Sequence, residues 1–185
     1  MKLILVGGVQ GVGKSTLLDF CKDEFAGKIE IIDAGELFRQ YCIRDKLKTH
    51  NEVEELIIES ILEMPKDATI VLHWHFAVTR PEGFIPQISF ERIKRLALSQ
   101  LIDEVVLIAV EAPVDVIYDR RLKDSDSKKR NLSIETIRGE IECDFEFMKK
   151  HAEIFTVHLG VDRVAIHQIE NIDLEVAKSK LRSIV

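Results

Sequence analysis

Short apolar runs alternate along this chain with stretches in which apolar residues recur at every third or fourth position. The runs are Leu3-Ile4-Leu5-Val6, Ile29-Glu30-Ile31-Ile32, Thr69-Ile70-Val71-Leu72, Val105 to Val110 and Val164 to Ile169. They have few alternating polar positions, which predicts strands buried on both faces. Leu17, Leu18, Cys21 and Phe25 form the inward stripe of a helix from Lys14 to about Phe25. Leu37, Phe38, Tyr41 and Cys42 predict a second helix, and Val53, Leu56, Ile57 and Ile61 a third that stops near Pro65. Ser89 sits at the N-cap of a helix burying Ile93, Leu96 and Ala97, and Pro113 at the first turn of one running through Leu122. Ser133 opens a long helix with Ile134, Ile137, Ile141, Phe145 and Met148, and a last helix lies near Leu174 to Leu181. Phe76 to Ser89 holds Pro81, Gly83 and Pro86 and reads as a loop.

Buried strands separated by helices predict an α/β fold: a five-stranded parallel sheet, doubly wound, in three layers. Nothing in the pattern marks a linker or a second domain. In such sheets ligands sit at the carboxyl ends of the strands. That edge collects Gly8 to Ser15, Asp33, His73, His75 and Glu111.

Gly8 to Ser15 read GVQGVGKS, which fits the phosphate-binding loop pattern G-x-x-x-x-G-K-[ST]. The pattern follows a strand and opens a helix, as the chemistry requires. Gly8, Gly11 and Gly13 let the backbone curl and aim successive N–H groups, Val12 among them, at an anion. The helix N-terminus, with Lys14, Ser15 and Thr16, adds a favourable partial charge. Lys14 supplies a full charge for the β- and γ-phosphates and is expected to face its ligand rather than fill the core. Ser15 offers a hydroxyl to Mg²⁺.

Hydrophobic residues make up 46% of the 185 residues, a globular composition, and the net charge is −6. A basic footprint for duplex nucleic acid is absent, so anions must be held by local cations. Lys123 to Asn131 has no apolar residue, but Asp124 and Asp126 argue for a solvated lid rather than an RNA patch. Cys21, Cys42 and Cys143 fit no zinc or redox spacing and read as free thiols of a reducing, cytoplasmic setting. No segment is long and apolar enough to span a bilayer. Glu52, Glu54, Glu55 and Glu59 read as a solvated helix face, and Trp74 as either core or a stacking surface for an acceptor base.

Beyond the loop, the chain resembles the nucleoside-monophosphate kinase family, above all the archaeal-type adenylate kinases. Gly35-Glu-Leu-Phe-Arg39 resembles the family's Gly-x-x-x-Arg segment, which implies that Arg39 holds the acceptor phosphate with Asp33 and His75 nearby. His73-Trp-His75, followed by Thr79-Arg-Pro-Glu-Gly-Phe-Ile-Pro86, resembles the archaeal Asp-Thr-His and Thr-Pro-Lys-Gly-Tyr-Leu-Pro strings. Asp119-Arg120-Arg121-Leu122 resembles the entry to the family's lid. By that resemblance Arg120, Arg121 and Arg130 are cations around the transferring group, with a short mobile lid near 123–132. The last strand and Asn171 resemble the segment that frames the donor adenine. The resemblance implies ATP as phosphoryl donor, Mg²⁺ as cofactor and a nucleoside monophosphate as acceptor.

Two positions depart from the family. His73 stands where the family has an Asp that orients water on Mg²⁺, so Ser15 with Asp33, or with Glu111, is the expected metal set. Cys143-Asp-Phe-Glu146 stands where the family commonly has an Asn-Arg pair. Three functions stay open: transfer from ATP to a nucleoside monophosphate, a kinase with a hydroxyl acceptor, and an ATP-binding regulatory or assembly protein. The sequence does not set the acceptor base or the oligomeric state.

Overall fold

The computed structural model describes residues 1–80, 83–124 and 132–185. Five strands form one parallel sheet in the order β2-β3-β1-β6-β7: β1 (Lys2–Gly7), β2 (Glu30–Asp33), β3 (Thr69–His73), β6 (Glu104–Glu111) and β7 (Val164–Glu170). Every pairing is parallel, with Val6 beside His73 on one side and Ile108 on the other. The chain starts at the centre, crosses to the edge strand β2, returns inward through β3, then recrosses to β6 and β7. The order therefore reverses at β1, and a crevice opens there beyond the strand ends.

Helices cover both faces, because each central strand is apolar on both. Leu3, Leu5, Ile70, Leu72 and Leu107 pack against α2 (Ala34–Phe38), α3 (His50–Leu62), α4 (Phe90–Leu98) and the second half of α6 (Ile134–Leu159). Ile4, Val6, Val71, Val106 and Ile108 pack against α1 (Lys14–Glu24), α5 (Val114–Lys123), the start of α6 and α7 (Leu174–Arg182). No helix among the described residues is long and apolar enough to cross a membrane.

Three local expectations change. Where the sequence predicts a loop over Phe76 to Ser89, the chain forms an antiparallel hairpin of β4 (Ala77–Arg80) and β5 (Gly83–Pro86). Its glycine and second proline fall at strand ends, where a two-stranded ribbon tolerates them. The second helix is short and continues as a π-helical turn, Arg39–Arg44. The glutamates of α3 are not simply solvated. Glu52 closes a capping box with Thr49. Glu54 is buried and accepts from Arg92 Nη1 (3.0 Å) and the Ser89 N–H (2.8 Å), while Glu55 and Glu59 pair with Arg95. Trp74 is core, 1% exposed and edge-on to Phe76.

Candidate active site

The loop from Gly8 to Gly13 joins β1 to α1 at the sheet's switch point. Gly13 caps α1 with φ 90°, and a Cβ there would come within 2.3 Å of Asn171 Nδ2. Both facts require glycine. Among the described residues no side chain caps α1, and its first turn carries no acidic residue, so its N-terminal N–H groups are left for an anion. Ser15 and Thr16 are exposed beside them.

Lys14 is 6% exposed, contrary to the expectation of an open lysine. Its ammonium is folded back onto the loop's own carbonyls, those of Gly8 and of Val9 (3.0 Å). Those oxygens are the ones left over when the loop turns its N–H groups inward, so they supply a resting place for the charge.

A cleft of about 290 Å³ opens over the loop, bordered by Gly13, Lys14, Ser15, Arg39, His73 and Arg120. A second, of about 310 Å³, lies between the loop and the hairpin, bordered by Gln10, Thr79, Phe84, Arg121 and Glu140. His75 borders both.

Arg39 is mostly exposed and lies against Glu36, with Nε to Oε2 at 3.0 Å. Asp33 caps α2, accepting from the Glu36 N–H at 3.0 Å, and its Oδ1 stands 3.2 Å from His73 Nδ1. Burial pushes the Asp33 carboxyl up, but His73, the Glu36 N–H and the Arg39 charge outweigh it and hold it down at about 2. His75 lies against the loop itself: Nδ1 is 2.8 Å from the Gly8 carbonyl oxygen and 3.4 Å from Lys14 Nζ. Burial, with the Lys14 charge adding to it, drives its pKa well below the ordinary value, so the ring is neutral.

Arg120 and Arg121 brace the loop from outside. Arg120 donates to the Val12 oxygen (3.1 Å) and the Asn171 oxygen (2.7 Å). Arg121 is 1% exposed, donates from Nε to the Gln10 oxygen (3.0 Å) and pairs with Glu140. Neighbours on a helix diverge by about 100°, so the two guanidiniums reach different carbonyls of the loop. Asn171 is buried, and its amide donates to the Val12 oxygen at 2.8 Å instead of pointing into open space. Arg130 and most of the expected lid lie outside the described residues.

Among the described residues, no group of three or more His, Cys, Asp or Glu is placed to hold a metal. Mg²⁺ bound with a nucleotide needs only one or two protein oxygens beside phosphates and water. The exposed Ser15 hydroxyl and the ionised Asp33 carboxylate fit that donor chemistry. Glu111 does not: it accepts from Gln168 Nε2 (3.2 Å), and burial beside Glu170 pushes its pKa up.

Asp144 on α6 escaped the sequence reading. It is 4% exposed, and Oδ1 accepts from the Ala77 N–H at 3.0 Å. Burial pushes its carboxyl up to about 6, against the pull of the Ala77 N–H and the Lys14 charge. The signal was present: Ile137, Ile141, Asp144 and Met148 follow the helix's inward spacing, so one acid sits in an apolar stripe.

A family model described as an AAA domain matches residues 7–138. The chain belongs to this P-loop family. It is similar over nearly its whole length to archaeal adenylate kinases. The enzyme of Pyrococcus horikoshii is 26% identical, covering 99% of this chain and 94% of its own. That of Methanothermobacter thermautotrophicus is 23% identical over the full length of both. That of Methanocaldococcus jannaschii is 25% identical across 76% of this chain and 78% of its own. These likenesses bear out the resemblance of the chain to archaeal adenylate kinases.

Proposed function

We propose that this protein transfers the γ-phosphoryl group of ATP to a nucleoside monophosphate. The observation that carries the reading is the cleft over the loop, where Lys14, the uncapped end of α1, Arg39 and Arg120 converge in an otherwise acidic molecule. The bond from the γ-phosphorus to the β–γ bridging oxygen breaks, and a bond to an acceptor phosphate oxygen forms. The acceptor is already an anion, so no base is needed. The loop N–H groups of Gly8, Gly11, Val12 and Gly13 and the first turn at Thr16 hold the donor phosphates. Lys14 leaves its resting carbonyls to neutralise them. Arg39 exchanges Glu36 for the acceptor phosphate, a better match for a planar guanidinium. Arg120 and Arg121 keep the loop in shape, and Asn171 ties it to the end of β7. Ser15 and Asp33 would hold Mg²⁺, which would supply charge neutralisation at the transferring phosphates. Arg130 and a lid near 123–132 belong to this reading as cations closing over the reaction in a single P-loop kinase domain. The three free thiols suit a cytoplasmic setting.

A hydroxyl acceptor would need a base. Asp33 is the group to hand, but a carboxyl held at about 2 is a poor proton acceptor near neutral pH. The monophosphate reading is therefore preferred. Coupled assays over a panel of monophosphates and hydroxyl acceptors, beside acceptor-free ATP hydrolysis, test it. Diphosphate should form with a monophosphate, and Lys14→Ala should lower the rate by at least about a hundredfold. Turnover only with a hydroxyl acceptor, or only as slow acceptor-free hydrolysis, would replace this reading with the corresponding alternative.

A further inference from the structure

The segment just after β3 is stitched along the start of the phosphate loop. The Trp74 N–H donates to the Val6 oxygen at 3.1 Å. The Phe76 ring lies so close on Gly7 that a Cβ there would meet it at 2.2 Å. His75 comes between, with Nδ1 on the Gly8 oxygen at 2.8 Å. The strip is held from behind: the His75 N–H donates to Gln87 Oε1 at 2.6 Å and the Ala77 N–H to Asp144 at 3.0 Å. His75 is thus fixed at both backbone and ring.

The Gly8 carbonyl has two lone pairs and two partners, His75 Nδ1 and Lys14 Nζ. A neutral imidazole facing a carbonyl carries its proton on the facing nitrogen, so Nδ1–H donates and Nε2 is bare. Phosphate binding draws Lys14 away. The Gly8 oxygen would then lose a charged donor at a buried bend, and leaving such an oxygen unpaired is costly. A second cation could not cover it, since it would repel Lys14 in both of the lysine's positions.

We propose that His75 is a positioning residue of the phosphate loop. It is a neutral donor that holds the Gly8 carbonyl in place so that Lys14 can leave it for the nucleotide. The proposal rests on the reading of this loop as an ATP site. It moves His75 from the acceptor side, where the sequence resemblance put it, to the donor side.

Side-chain geometry supplies the test. The amide nitrogen of Asn overlays imidazole Nδ1, whereas that of Gln overlays Nε2. Titration calorimetry with ATP and with the nucleoside monophosphate turned over best would be run on wild type, His75→Asn, His75→Gln and His75→Ala, each checked by thermal melting. His75→Ala and His75→Gln should bind ATP about tenfold or more weakly. His75→Asn should stay within about threefold of wild type, and acceptor affinity should hold in all. Should the alanine variant not fold, the Asn and Gln pair of similar bulk decides the matter. Equal ATP affinity in the Asn and Gln variants would overturn the proposal, and so would a loss confined to the acceptor. Wild-type protein that binds no ATP would overturn the functional reading and the inference together.

Discussion

His151 and Asp144 occupy one helix, seven residues apart, and bend the acid stability of the protein in opposite directions. His151 is fully buried against Trp74 and Phe90, each with ring centroid 5.0 Å away. Burial draws its pKa down to about 4. A folded value below the unfolded one contributes stability that is complete above about pH 6.5 and is lost as pH falls through 4. His151→Phe should remove that loss. Urea denaturation at pH 7 and pH 5 should show the variant gaining about 2 kcal/mol on wild type at the lower pH. Asp144 has the opposite sign. Its folded value of about 6 lies above the unfolded one, so its contribution is complete below about pH 3.8 and is lost as pH rises through 6. Asp144→Asn should therefore gain on wild type between pH 4 and 7, by at most about 3 kcal/mol. In the wild type the two trends offset each other, so a flat profile from pH 4 to 6.5 conceals both. Arg39 makes a different kind of prediction. Its exposed pairing with Glu36 adds little to stability. Arg39→Ala should leave melting unchanged yet raise the acceptor KM about tenfold to a hundredfold, with ATP affinity unaltered. Acceptor saturation and ATP titration measured separately would check it.

At the scale of elements, the end of β1 and the start of the β4–β5 hairpin are one unit, because the Phe76 ring fills the space that a side chain at Gly7 would occupy. Gly7→Ala should cost about 1–3 kcal/mol in chemical denaturation. It should also weaken ATP binding, since the ring cannot retreat without moving the neighbouring His75. Unchanged ATP affinity in a destabilised variant would separate the hairpin from the loop. The elements legible in advance were those with clear periodicity or end signals: the five sheet strands, α1 and α3 to α7. The hairpin was missed because Pro and Gly at strand ends read the same as Pro and Gly in a loop. The π-helical turn after Arg39 carries no periodicity of its own in six residues. The acid of α6 was hidden by its apolar neighbours, which mark the stripe as core without revealing that Asp144 reaches the hairpin's N–H.

The whole molecule is a crevice built by strand order. β1 has β3 on one side and β6 on the other, so loops from both halves of the chain converge over one edge. Two clefts meet there at His75, which suits a ligand spanning both. Two adenosines bridged by a polyphosphate should bind about a hundredfold or more tighter than ATP alone, since the second contact becomes intramolecular. Calorimetry against ATP would decide, and no gain would count against neighbouring donor and acceptor sites. The sequence by itself determined the phosphate loop, the parallel doubly wound sheet and the edge where ligands bind. Those follow from local rules: glycine spacing, strands apolar on both faces, and the handedness of crossovers. Only the tertiary structure decided what each polar side chain does at that edge. Lys14 rests on its own loop's carbonyls, Arg120, Arg121 and Asn171 brace that loop, and His75 touches Gly8 across 67 positions of chain. The direction of a side chain and the identity of its partner depend on which distant backbone packs beside it, and no local pattern carries that information.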